Sequence, residues 1–474
     1  MQSIANTQSV MCSTSLRMDT NERVRVKVPL NSRIRRWFSA KQLCDSLQPL
    51  FFITYWHGLT PFYVLRDGRG NKKLKHSVFG YLNGIVHIVV YTFCYIITLL
   101  NNCESVAGYF FRSRITYFGD FMQILSGFIG VTVIYITAIV PKHRLQKSLQ
   151  TLQLMDDQLK GVGIKIMYSK VLRFCYIILS VMFVMDLMYT AGSFMMLKWS
   201  QMAPSTALYI TFVLQHTVIS IAIALFTCFT KMLEMRLIMM NKVLKNLSHQ
   251  WDNRSVKATF PSKQRSLQCL DSFSMYTIVT KNPSEIIQES MEIHHLICEA
   301  ASTANKYFTY QLLTIISIAF LIIVFDAYYV LETLLGKSKR ESKFKTVEFV
   351  TFFSCQMILY LIAIISIVEG SNRAIKKSEK TGSIVHSLLN KAKTADVKEK
   401  LQQFSLQLMH MKINFTAAGL FKIDRTLYFT ISGALTTYLI ILLQFTSSSP
   451  NSENSACCIF TNITASAKNR TLMF

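Results

Sequence analysis

The sequence lacks the motifs that carry common enzyme chemistry. It contains no Gly-x-Ser-x-Gly, no His-Glu-x-x-His and no dinucleotide-binding fingerprint. The run Gly336-Lys337-Ser338 lacks the upstream glycine of a phosphate-binding loop, and the eleven cysteines show no paired metal-ligand spacing. We therefore expect that the protein is not an enzyme and that it holds neither a metal nor a cofactor.

Acidic residues are also scarce. The chain has 26 Asp and Glu against 51 Lys and Arg, a formal net charge of +25. Such a charge can indicate a nucleic-acid partner, but the distribution of the basic residues argues against nucleic acid. Residues 1–30 also lack the apolar core of a signal peptide.

Long apolar runs are what the sequence does have, and they account for a hydrophobic content of 51%. About 20 apolar residues rise far enough in a helix to cross the roughly 30 Å hydrocarbon core of a bilayer. Seven runs of that length predict an all-α membrane protein with seven transmembrane helices, near 79–100, 115–140, 171–196, 205–230, 307–334, 347–368 and 424–446.

Basic residues outside these spans lie mostly on one side of the predicted membrane, with 39 on that side and 10 on the other. Lys and Arg accumulate in cytoplasmic segments. The N-terminus is therefore expected inside the cell and the C-terminus outside. A basic cluster at 337–345 breaks the trend and has no explanation.

The stretch Leu47–Leu65 is aromatic, but Pro49, Gly58 and Pro61 interrupt it. It is too broken for a span, so we expect a helix at the inner interface or a short re-entrant piece. Farther along, Ile286, Ile293 and similar residues form one apolar face that runs into the fifth span. That span is expected to project into the cytoplasm.

Polar side chains recur at a similar depth in the outer halves of spans three to six. An ionisable group in hydrocarbon costs a few kcal/mol, so each should face the bundle interior or a wet cavity. A hydrogen bond between helices, worth roughly 1 kcal/mol, explains any single one of them. As a set they predict a ligand site in a water-filled pocket open to the outside, formed by Asp186, Gln215, His216, Asp326, Tyr329 and Gln356.

The seventh span is the least uniformly apolar. Small and hydroxyl-bearing residues lie along it, and Gln444 places an amide near its far end. Polar atoms in a membrane helix face protein or water. The span should lie at a helix interface or line an aqueous path; a packing face of small residues is the alternative.

A heptad pattern precedes this span. Val397, Leu401, Phe404, Leu408, Met411 and Phe415 alternate at spacings of four and three. Such a seam is typical of a helix that pairs with another helix. It also fits an amphipathic helix packed on its own subunit.

The end of the seventh span resembles the C-terminal signature of insect gustatory receptors. Thr437-Tyr438, five hydrophobic residues and Gln444-Phe445 match that signature, and the approach Ala418-Gly419-Leu420-Phe421 is also similar. The resemblance implies a plasma-membrane receptor of sensory neurons that acts as a tastant-gated, non-selective cation channel. Like the related odorant receptors, it would form a homotetramer or a heterotetramer with other gustatory receptors through its cytoplasmic helices.

The resemblance also implies roles for particular residues. Gln444 and Phe445 would form a gate near the outer end of a central pore, with Tyr438 packed below it. Membrane lipids, a small-molecule tastant and permeating cations are the expected partners. The implied organisation is a largely disordered cytoplasmic N-terminus (1–46), an interfacial segment with spans one to four (47–230), a cytoplasmic loop and helical extension (231–306), spans five and six (307–370), cytoplasmic assembly helices (371–423), a pore-lining seventh span (424–446) and an extracellular tail (447–474).

Two features favour a bitter-type or other amphipathic ligand over a sugar. No tryptophan lies within a span, so the aromatic lining would come from Tyr189, Tyr329, Tyr360 and phenylalanines. The sugar-receptor branch of the family typically has an acidic residue after Thr-Tyr, where this chain has Leu439.

The tail carries two glycosylation acceptors, Asn462 and Asn469, which an extracellular location would make usable. Cys103, Cys457 and Cys458 would also lie outside, where two of them could form a disulfide. The sequence does not decide whether they do.

Seven spans also occur in two other classes of membrane protein. A seven-transmembrane G-protein-coupled chemoreceptor is the alternative, but its usual orientation has the N-terminus outside, and its Asn-Pro-x-x-Tyr motif is absent from span seven. A secondary transporter predicts inverted repeats, and the sequence shows no internal symmetry.

Overall fold

Seven long helices, three of them with long extensions, form the fold. A computed structural model describes residues 40–66, 72–100, 114–199, 205–256, 282–335 and 346–448. Predictions for the N-terminus before residue 40, for Cys103, Cys457 and Cys458, and for Asn462 and Asn469 lie outside these residues. In chain order the elements are α1 (Leu43–Trp56), β1 (Phe62–Arg66), β2 (Lys72–His76), α2 (Val78–Leu100), α3 (Arg114–Ile139), α4 (Lys142–Gly161), α5 (Tyr168–Trp199), α6 (Thr206–Val256), α7 (Pro283–Leu334), α8 (Thr346–Lys391), α9 (Ala395–His410), β3 (Thr416–Ala417), β4 (Phe421–Lys422) and α10 (Thr426–Ser448).

The predicted all-α membrane fold is confirmed. Within the described residues, seven helices are long and apolar enough to cross a membrane: α2, α3, α5, α6, α7, α8 and α10. Three of them continue well beyond the bilayer, since α6, α7 and α8 have 51, 52 and 46 residues. The orientation of the termini stays a prediction.

Helix α7 is the centre of the packing. It contacts α3, α4, α6, α8, α9 and α10. It begins at Pro283, and its predicted apolar face is buried as far as Ala301. The fifth span therefore extends out of the membrane as one continuous helix.

A buried ion pair joins α4 to α6. The guanidinium of Arg236 on α6 donates from Nε and Nη2 to the two carboxylate oxygens of Asp156 on α4, at 2.8 and 2.7 Å. The hydroxyl of Tyr168 donates to the same carboxylate at 2.9 Å. Both charged side chains are 1% exposed, so three helices are tied together by groups that have no access to water.

The aromatic stretch after residue 47 divides into two elements. Helix α1 ends at Trp56, and the chain then forms the antiparallel pair β1–β2. Asn83 of α2 donates to the backbone carbonyls of Tyr55 and Trp56 in the last turn of α1. Gly58, at φ +69°, lies directly on Gly84 of α2, where a Cβ atom would meet backbone at 2.3 Å. The interfacial position of α1 stays a prediction.

The heptad seam packs within its own subunit. Val397, Leu401 and Phe404 of α9 are buried in the same core as α7 and α8. Helix α9 ends at His410, so Phe415 lies beyond it and contacts Phe226 edge to face, with centroids 5.6 Å apart. Packing within the chain therefore accounts for the spacing of these residues. An assembly role for residues 371–423 stays a prediction.

Candidate functional site

A hydrogen bond between α6 and α8 lies at the centre of the predicted ligand site. The ring of His216 is held by the Phe212 carbonyl, with Nδ1 at 2.9 Å, and its Nε2 lies 3.2 Å from the hydroxyl of Tyr360. Both side chains are buried. Since Nδ1 faces a carbonyl it carries the proton, which leaves Nε2 to accept from the tyrosine.

Aromatic rings surround this pair. Tyr189 of α5 lies 5.2 Å from His216, 5.1 Å from Phe212 and 5.6 Å from Phe352, measured between ring centroids. These distances are typical of favourable ring contacts. Three helices thus contribute an aromatic wall around one polar centre.

The two predicted acidic residues approach the same centre from different helices. Asp186 of α5 accepts from the hydroxyl of Ser220 at 3.1 Å. Asp326 of α7 is fully buried and lies 3.5 Å from the amide of Gln123 on α3. Both carboxyl groups interact electrostatically with Tyr360.

Glycines make room for the remaining polar groups. Gln215 lies against Gly127 of α3, where a Cβ atom would come within 2.2 Å of the amide oxygen. That oxygen lies 3.5 Å from the hydroxyl of Tyr91 on α2. The hydroxyl of Tyr329 occupies a similar space above Gly119, at 2.5 Å from the position of an added Cβ.

Of the six predicted residues, His216, Asp326, Tyr329 and Gln356 are buried, and Asp186 and Gln215 are half-buried. Gln356 is 8% exposed and lies one helical turn from both Phe352 and Tyr360. The predicted ligand role and the opening to the outside stay predictions. Gln123, Ser220 and Tyr91 were missed. The same search extended to spans one and two could have found Tyr91 and Gln123, and Ser220 needed a search of span four that included hydroxyl groups.

A separate groove of about 420 Å³ lies between α2 and α6. Its lining is almost wholly apolar and consists of Val86, His87, Val90, Tyr209, Ile210, Val213 and Leu214. It does not contain any of the six predicted residues.

Helix α10 has two different faces. Leu427, Ile431 and Leu435 pack against the core of the same subunit. The opposite face is exposed and carries a polar stripe at spacings of four, three, four and seven residues, formed by Thr426, Thr430, Gly433, Thr437 and Gln444. Only 6% of the most apolar window of α10 is buried. Most of the surface of this helix is thus uncovered within one subunit.

An outer aromatic cluster connects α10 to the polar centre. It consists of Tyr189, Phe325, Tyr328, Tyr329, Phe349, Phe352 and Phe353. Leu439, Leu442 and Leu443 of α10 pack against it. Tyr189 and Phe352 belong both to this cluster and to the wall around His216, so the contacts are continuous from the polar centre to the outer half of α10.

Comparisons with known proteins agree with this architecture. A family model described as 7tm chemosensory receptor matches residues 47–449, a range that includes all seven membrane helices. The class is therefore that of seven-transmembrane chemosensory receptors. The chain is 74% identical to putative gustatory receptor 28b of Drosophila melanogaster over 92% of this chain and 94% of that protein. It is 35% identical to putative gustatory receptor 28a of the same species, over 86% and 93%. Within its class, this chain belongs to the insect gustatory receptor family.

The fold is also similar to that of a solved insect receptor. The olfactory receptor OR5 from Machilis hrabei matches with a TM-score of 0.56 at 13% identity, over 87% of this chain and 99% of that one. The same receptor in complex with eugenol matches with a TM-score of 0.53. At this identity the likeness concerns the fold.

Proposed function

We propose that this gustatory receptor is a tastant-gated, non-selective cation channel of the plasma membrane of sensory neurons. Four subunits, identical or mixed with other gustatory receptors, surround a central pore that α10 lines. The ligand binds around His216 and Tyr360.

The polar stripe of α10 carries this proposal. A helix that faced only lipid on its free side would gain from apolar residues there, yet this side has hydroxyl groups, a glycine and an amide. The hydroxyls of Thr430 and Thr437 donate to carbonyls one turn earlier, which leaves their oxygens able to accept from water. A stripe at this spacing stays on one side of a helix, as a pore lining requires.

The gate is proposed at the outer end of the stripe. Gln444 belongs to the stripe and Phe445 follows it, 63% exposed within the subunit. Copies of Phe445 around an axis would close a pore by dewetting, and the amide of Gln444 offers oxygen to a partly hydrated cation. Tyr438 lies lower and contacts Phe320 of α7 edge to face, with centroids 5.9 Å apart.

Assembly is proposed through the cytoplasmic extensions. Leu406 and Met409 on the outer face of α9 are 58% and 68% exposed. They lie one turn apart and opposite the buried seam. An apolar surface in this position is suited to a neighbouring subunit.

The wall around His216 favours an amphipathic ligand with an aromatic or apolar body. The ring contacts around His216 come from phenylalanine and tyrosine, whose flat apolar faces suit a ligand of that kind. The related fold of OR5 was solved with eugenol, a ligand of that chemical type.

Cysteine accessibility tests the pore. Thr437→Cys on the stripe should react with a positively charged methanethiosulfonate reagent and change the current carried by the full-length chain in a heterologous cell. Leu435→Cys, on the packed face of the same helix, is the matched control and should not respond. Equal reaction of both positions, or of neither, contradicts a pore lined by this stripe.

The gate and the ligand class are tested in the same cells. Phe445→Ala should conduct without tastant, since it removes the ring that closes the pore; unchanged currents in a responsive channel contradict the gate.

The unaltered chain should open with caffeine, quinine or eugenol and not with sucrose or fructose. Currents should persist when G-protein signalling is blocked, and their loss supports the G-protein-coupled alternative.

A further inference from the structure

An ion pair outside the ligand site joins the helix that carries the ligand residues to the helix that lines the pore. Arg425, the residue before α10, donates from Nε and Nη2 to the two carboxylate oxygens of Glu369 on α8, at 2.8 and 3.0 Å. The two residues are 56 positions apart in the chain. The geometry is the paired fork of guanidinium and carboxylate, which fixes direction as well as distance.

The position of Glu369 on α8 gives this pair its meaning. Gln356 and Tyr360 lie 13 and 9 residues earlier on the same helix, about 20 and 14 Å away at 1.5 Å per residue. At 100° per residue, Glu369 is on the opposite side of α8 from Tyr360. One helix therefore presents ligand-site residues on one side and holds α10 on the other.

The segment between these points is suited to move as one body. Residues 356–369 contain neither glycine nor proline, so no helix breaker absorbs a displacement. Gly370 follows, and here α8 lies so close to α6 that an added Cβ atom would be 2.9 Å from the hydroxyl of Thr230. This close contact between α8 and α6, directly beside the ion pair, is a point about which α8 could rotate.

The pair is not explained by stability. Its side chains are 54% and 29% exposed, and ion pairs in water contribute little to folding. Helix α10, however, packs mainly against α7. The bond to Glu369 is thus a specific link between its inner end and α8.

We propose that Glu369 and Arg425 are positioning residues that hold the inner end of the pore helix in its resting place and make it follow α8. This inference rests on the proposed channel function. Breaking the bond should free the inner end of α10, so that the pore opens without a tastant.

A double-mutant cycle tests this link in the full-length chain at equal surface expression. Glu369→Gln and Arg425→Gln should each raise the tastant-free current about fivefold or more, the lower range of allosteric coupling. The combination should raise it no further than the stronger single change, because both remove one bond. Glu379→Gln, at an exposed carboxylate of α8, should leave the current within about twofold, as expected for a site without coupling.

Each other outcome has a distinct meaning. Single variants at normal surface level that leave the current unchanged overturn the link, and so does a double variant in which the two effects multiply. Phe445→Ala separates this failure from failure of the channel. If Phe445→Ala conducts and the Glu369 and Arg425 variants do not, only the link is wrong; if none conducts, both proposals fall.

Discussion

Helices α7 and α10 pack side by side, and both are apolar enough to span the membrane, but their surroundings within the subunit are opposite. In the most apolar stretch of α7, 61% of residues are buried, against 6% in α10. Composition does not separate a helix that organises a subunit from a helix whose surface stays uncovered. What separates them is whether neighbouring helices of the same chain cover each face.

The largest expected effect lies in the buried part of this comparison. Arg236→Ala removes the partner of a carboxylate that is 1% exposed, and leaving a buried charge unpaired costs about 3–5 kcal/mol. The thermal midpoint of the purified full-length receptor should fall sharply and surface expression should drop. Lys160→Ala breaks a pair with Asp157 that is exposed on both sides and should cost less than about 1 kcal/mol. Similar losses in both variants would mean that the buried pair has no special role.

A smaller effect is expected from two glycine substitutions, one at a close backbone contact of α2 and one on the uncovered face of α10. A Cβ atom on Gly84 would lie 2.7 Å from the backbone oxygen of Gly58, whereas Gly433 on α10 has nothing within 4 Å. Gly84→Ala should therefore destabilise the receptor by about 1–3 kcal/mol, the usual cost of overpacking. Gly433→Ala should be neutral or stabilise the helix by up to about 1 kcal/mol. Destabilisation by Gly433→Ala would show that this face is covered in the assembled receptor. Thermal midpoints measured at receptor concentrations above and below the one at which the assembly dissociates can detect this.

The smallest expected change in stability concerns the ligand region. Tyr360→Phe removes the hydroxyl that bonds His216, and hydrogen bonds between membrane helices average about 0.6 kcal/mol. The half-maximal concentration of an active tastant should shift more strongly than stability does, by about fivefold or more if the ligand is coupled to this bond. Tyr310→Phe, at an exposed tyrosine of α7, is the control. A stability change without any shift in the response would show that the bond serves only to join helices.

Sequence patterns predicted the spans well because hydropathy over 20 residues reports directly on the bilayer. They also identified His216 and Asp326, which are both buried, since a polar residue in a span has few stable places to be. Partners were harder to predict. Tyr360 meets His216 across 144 residues and Arg236 meets Asp156 across 80, and nothing in local spacing encodes such pairs.

The heptad seam shows a second limit. Apolar residues at spacings of four and three indicate that one side of a helix is buried. They do not indicate whether the same chain or another chain buries it. Phe404 is covered by its own subunit, while Leu406 and Met409, which break the pattern, are the exposed apolar residues of α9. The residues outside the pattern are the ones that the chain leaves exposed.

The length of α7 has a consequence for observing the receptor. Its 52 residues form a helix of about 78 Å without an internal glycine or proline, more than twice the thickness of the hydrocarbon core. A tilt of this rod beside the aromatic cluster must swing its distant end near Pro283 through an arc in the opposite direction. A fluorophore fixed there would report events on the far side of the bilayer, with no probe on α10 itself.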